Sequence, residues 1–161
     1  MNILDRLLGH DQAATHELLE LCLPLTDTEL DREFDAGWRT LRATFEHMLF
    51  NIETWTDLML ARPVRNIKDR NSIAELLTRL DEHYTEFAEL ARRIEAEGRL
   101  DHKWTDVLDK PPQQKSFGSA IAHVITHNMH HRAELQHMLH RLPLANVPEG
   151  DLIGWELRQH G

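Results

Sequence analysis

The chain predicts an all-α fold, a four-helix bundle with long, non-trivial connections and a short C-terminal helix. Three observations lead there. Four segments carry apolar residues at helical spacing. Helix-stopping residues separate them, with Pro24, Pro63, Gly98 and Pro143 at the breaks. A length of 161 residues suits one domain, so residues 1–161 are read as a single unit. Amphipathic helices with no sheet to cover bury their stripes most economically against one another.

The first run, Ile3 to Leu23, places Leu4, Leu7, Leu8, Leu18, Leu19 and Leu21 along a helix and stops before Pro24. Residues 24–38 are mixed in polarity, with Gly37 as a turn, and form the crossing to the next helix. Thr40 is the N-cap of that second helix, which ends at Ala61, just before Pro63. Its stripe is Leu41, Phe45, Met48, Leu49, Ile52, Trp55, Leu58 and Met59. The third helix opens on a capping box, Ser72 to Glu75. It turns Ile73, Leu76, Leu77, Leu80, Tyr84, Phe87, Leu90 and Ile94 inward and stops at Gly98. Residues 99–112 are too interrupted for another long helix, although Lys103 to Val107 suits a short strand. Ser116 or Ser119 starts the fourth helix, which runs to about Leu142. After Pro143 and Pro148, Asp151 to Gln159 reads as a short helix anchored by Leu152, Ile153, Trp155 and Leu157. The long links before the second and fourth helices allow a topology other than simple up and down.

Composition narrows the function classes. The chain is 41% hydrophobic and 28% charged, with no apolar run near the roughly 20 residues of a membrane span. Asp5, Arg6, His10 and Asp11 interrupt any leader-like pattern, so cytoplasmic residence is the expectation. With 27 acidic against 18 basic residues the formal charge is −9, which disfavours nucleic acid because the basic residues are scattered. The small cluster Arg62, Arg65, Lys68 and Arg70 reads as a solvated loop. Cys22, the one cysteine, can form no internal disulfide and reads as a buried packing residue.

The chemistry-bearing signal lies in the fourth helix. Of the 12 histidines, His123, His127 and His131 recur at i,i+4 and share a helical face, with Cβ atoms about 6 Å apart. Two such rings can reach one ion at about 2.1 Å. His130 points about 100° away from His131, and His137 and His140 drift onto other faces. His127 and His131 are therefore the candidate ligands, with His123 as a fourth ligand or a partner of one. Exposed histidines on a wettable helix are the plain alternative. A third ligand must come from another helix, and His47, beside the second helix's apolar stripe, is either that ligand, reaching across the bundle, or a histidine hydrogen-bonded to a carboxylate or carbonyl. Asn51, one turn on, reads as a surface amide or as a group contacting substrate or ligand.

The stretches TLRATFEHMLFNIETW and AHVITHNMHHRAEL, with the closing DLIGWELRQ, make the chain resemble the DinB (DNA-damage-inducible) family of metal-binding bundles, related to the YfiT-like proteins, over nearly its full length. The second stretch is similar to that family's HVxNHxxHHRGQ signature. The resemblance implies metal ligands at His47, His127 and His131, a divalent cation such as zinc or nickel, and a homodimer. Some relatives transfer low-molecular-weight thiols or isomerise maleylpyruvate with a thiol, and many have no known reaction. Two departures stand out: Ala133-Glu134 replaces the usual Gly-Gln, and Thr126 replaces an asparagine. Glu134 thereby adds a carboxylate that can orient His131, accept a proton, or pair with Arg132 or Arg141.

Three neutral ligands leave a bound ion its full charge, which favours deprotonation of a coordinated water or external thiol. The expected activity is a metal-dependent transfer of a small thiol to a small electrophilic substrate. A non-catalytic metal or small-ligand binding protein is the alternative. A hydrolase is weaker, because Asn128 stands where HExxH has its glutamate. A dinuclear carboxylate oxidase lacks its paired Glu-x-x-His motifs, and Glu46 and Glu53 do not supply them.

Overall fold

The computed structural model describes residues 1–66, 70–144 and 146–160. Four long helices form the body: α1 (Ile3–Cys22), α3 (Leu41–Met59), α4 (Ile73–Ala96) and α5 (Phe117–Leu139). A four-residue helix, α2 (Asp27–Leu30), interrupts the first crossing. A two-stranded antiparallel hairpin, β1 (Lys103–Asp106) with β2 (Gln113–Ser116), precedes α5, and α6 (Leu152–His160) closes the chain.

The ends follow local hydrogen-bond chemistry. Thr40 caps α3 by accepting from the Ala43 N–H, Ser72 and Glu75 form the reciprocal box of α4, and Ser116 caps α5. Gly98, at φ +67°, provides the left-handed turn that stops α4. Lys103↔Ser116 pairing in the hairpin carries the chain directly into that α5 cap.

α1 packs on α4 and α5, and α3 packs on the same two helices. α1 and α3 thus occupy one diagonal of the bundle and α4 and α5 the other. Sequence-adjacent α3 and α4 touch and need only a short link. The links from α1 to α3 and from α4 to α5 must cross a diagonal, which accounts for their length. The core is the expected stripe: Phe45, Met48, Leu49 and Ile52 of α3 meet Leu76, Leu80, Tyr84 and Phe87 of α4, all fully buried. Cys22 is also fully buried, and burial pushes its thiol up to about 12.

One corner is polar. Asp11 is completely buried on α1; its Oδ2 accepts from Tyr84 Oη at 2.7 Å and Asn128 Nδ2 at 2.8 Å, while Oδ1 accepts from Arg132. Burial, with the Asp11 charge beside it, pushes the Tyr84 hydroxyl well above its ordinary range. This network ties α1, α4 and α5 together and fixes the rotation of α5.

Three expectations need correction. Of the four anchors assigned to the last helix only Trp155 is buried, packed against Gly9 and His10 of α1, whereas Ile153 and Leu157 are exposed. A nine-residue helix resting on one neighbour has room to bury only its largest ring. The polar run Gln113–Ser116 forms an unanticipated second strand. The Arg62 and Arg65 side chains are not simply solvated: both hold the fully buried Asp57, through contacts of 2.5 Å and 2.6 Å to Oδ1. Arg70 is exposed and pairs with Asp31, and Lys68 lies outside the described residues.

Burial alone would push the Asp57 carboxyl up, but hydrogen bonds from the Arg65 guanidinium and backbone and from Arg62 outweigh it and hold it at about 2. A carboxyl held down in the folded state adds stability that is present above its ordinary range and is lost as pH falls toward 2. Asp57→Asn is therefore expected to flatten the acid limb of stability against pH in urea melts. An acid limb unchanged in the variant would count against the clasp.

Candidate metal centre

α3 and α5 pack side by side as neighbours in the bundle, and this brings His47 onto His127 and His131. Nε2 of His47 lies 3.1 Å from Nε2 of His127, and Nε2 of His131 lies 3.1 Å from the same atom. Three ring nitrogens so placed are about as far apart as ligands that share one ion at about 2.1 Å. The donor set is all imidazole, which suits zinc, nickel, copper or iron. His131 is buried and the other two rings are half-buried. The cluster has the capacity to hold a divalent metal.

The protonation pattern follows from the neighbours. Burial, with repulsion between the clustered imidazoles adding to it, pushes both His47 and His127 down to about 4, so both rings are neutral near pH 7. Trp55 Nε1 donates to Asn51 Oδ1 at 2.9 Å, which leaves the Asn51 nitrogen to donate to His127 Nδ1 at 3.1 Å. The proton of neutral His127 then sits on Nε2, between the other two Nε2 atoms. His131 donates from Nδ1 to Glu134 Oε2 at 2.7 Å, which directs its Nε2 toward the other two rings. Asn51 is not the plain surface amide that its place on α3 suggested.

His123 does not join the convergence. Its ring lies 5.4 Å from that of His127, centroid to centroid, and 4.9 Å from Trp55. With Trp55, Lys115, Ser119 and Ala120 it lines an open groove of about 390 Å³ beside the triad. Lys115 lies over the Trp55 ring but is committed to Asp106 at 2.5 Å and Asp109 at 2.8 Å. His130, His131 and Glu134 also group closely. Hydrogen bonding accounts for them, since Glu134 accepts from His131 on one oxygen and contacts His130 Nε2 at 3.1 Å with the other.

The remaining carboxylates are engaged elsewhere. Glu46 accepts from the Asn71 backbone and side chain, and buried Glu53 pairs with Arg79 and His83. Asn128 points into the core at Asp11 rather than toward the rings, so no base follows His127. Arg132 is likewise turned inward to Asp11, which removes it as a partner of Glu134. Sequence reasoning missed Trp38, whose indole stacks on His47 at 4.3 Å and 27°. Its place in a polar crossing gave no periodic signal.

Among the described residues no helix is long and apolar enough to cross a membrane. No curated protein matches the chain. The profile of the DinB family matches residues 1–148, which span α1 to α5 and both halves of the histidine cluster. The chain belongs to the DinB family.

Proposed function

We propose that this protein binds one divalent ion, zinc or nickel, through Nε2 of His47, His127 and His131, and uses it to transfer a small thiol to a small electrophile. The observation that carries the reading is the convergence of three Nε2 atoms from two helices. An ion held there would take Nε2 of each ring and would require the His127 proton on Nδ1, so the Asn51 amide, which now receives the Trp55 N–H on its oxygen, would have to turn that oxygen toward His127. When bound, the ion keeps its charge because all three ligands are neutral, acts as a Lewis acid and eases thiol deprotonation.

The chain's own thiol is excluded from this work, since Cys22 is buried and held protonated. The sulfur nucleophile must be external. Its proton passes to solvent, a carbon–sulfur bond forms, and the electrophile's leaving group departs with the electron pair. The groove along Trp55 and His123 offers an apolar wall for the electrophile's body.

A second reading, a non-catalytic metal or small-ligand binding protein, is favoured by one feature: Lys115 is already neutralised by two aspartates and offers no free clamp for an anionic substrate. The homodimer implied by the family also belongs to the proposal. Trp104 and Trp155 are buried within the chain. Exposed Trp38 and Phe50 are better placed for such a contact.

The deciding assay follows consumption of an electrophile with a physiological thiol. Activity is expected in the zinc- or nickel-loaded protein and is expected to vanish in His127→Ala and on chelation. Equal rates in the variant would contradict catalysis at the triad.

A further inference from the structure

We infer that Glu134 is a positioning residue for the proposed ion, locked in place by the turn at Gly37 and Trp38; the inference rests on the triad reading above. His131 and Glu134 are the enclosed pair, with side chains 8% and 19% exposed, and their 2.7 Å hydrogen bond is a short one. A carboxylate on the far nitrogen of a ligating histidine fixes its tautomer, holds the ring plane and raises its basicity. Both Glu134 oxygens are engaged, one by His131 and one by His130. The carboxylate is therefore held outside the triad and does not swing in as a fourth ligand, which leaves coordination positions for an external molecule.

The turn explains why Glu134 stays there. Gly37 has φ +46°, and a Cβ built on it would fall on the Glu134 carboxylate. Backbone bonds from Arg39 N to Ala36 O at 2.8 Å and from Phe34 N to Arg39 O at 2.7 Å hold the turn in shape. The next residue, Trp38, stacks on His47. One short turn thus backs two rings from different helices, reaching His131 through Glu134 and His47 directly. A methyl group at position 37 would meet the far end of the flexible Glu134 side chain and push it off His131, and at this positive φ it would also strain the turn that carries Trp38.

The experiment titrates metal-stripped wild type, Glu134→Gln, Gly37→Ala and the double variant with zinc against a chromophoric chelator. Glu134→Gln is nearly isosteric and is expected to weaken binding about 10- to 100-fold. Gly37→Ala is expected to weaken it in the same direction, and the double variant to lose less than the product of the two single losses, because both changes weaken the same Glu134–His131 contact. Metal-free Glu134→Gln is expected to melt close to wild type. Binding by Glu134→Gln within twofold of wild type, or a double variant whose loss is the product of the two single losses, would overturn the positioning role. A wild type that takes up no zinc would overturn the triad itself, and this role with it.

Discussion

Replacing Asp11 by alanine is expected to destabilise the protein by about 3–5 kcal/mol, the cost of breaking a buried ion pair from one side. Asp11 is fully buried and is the acceptor for Arg132, Tyr84 and Asn128. Alanine would leave the Arg132 guanidinium charged and largely shut away from water, and would strand the Tyr84 hydroxyl and the Asn128 amide. Thr15, which lies 3.2 Å from Arg132 Nη1, brings no charge to replace it. In urea melts the midpoint is expected to fall with little change in slope. A loss below about 1 kcal/mol would mean that water or rearrangement satisfies these groups. Asn128 and Arg132 flank His127 and His131 on the same helix, so the variant is also expected to bind metal more weakly where it remains folded.

Zinc or nickel at a hundred times its Kd is expected to stabilise the wild type by about 2.7 kcal/mol, because an ion held only by the folded state shifts unfolding by mass action. For a domain of this size that corresponds to a rise in Tm of roughly 5–10 °C, reversed by a chelator. His47→Ala, His127→Ala and His131→Ala each remove one of three donors and are expected to lose most of the shift. His137→Ala, on an exposed face of α5, is expected to keep it. Equal shifts in all four variants would place the ion elsewhere.

Much of this architecture was legible because it depends on neighbours in sequence. Caps at Thr40 and Ser72, stops at Pro24 and Gly98, and the stripe from Leu41 to Met59 all act within a turn or two. The histidine pair on α5 was legible for the same reason, being an i,i+4 relation on one helix. His47 required one further step, a donor beside a buried seam facing that helix.

What escaped depends on partners far apart in the chain. Asp11 sits in a leucine-rich helix as an isolated charge, and only the fold brings Tyr84, Asn128 and Arg132 to it. Asp57 and its two arginines lie on opposite sides of a helix end, where periodicity carries no information. Trp38 and Gly37 belong to an irregular crossing whose conformation is set by what it rests on. The apolar residues of α6 looked equivalent in sequence, and the single face available on α1 took only Trp155.

The most direct measurement is elemental analysis of freshly purified protein, prepared without added metal, beside His127→Ala prepared in parallel. About one zinc or nickel per chain in the native protein and a large loss in the variant are the predicted result. The same metal content in both proteins would contradict the histidine triad as the binding site.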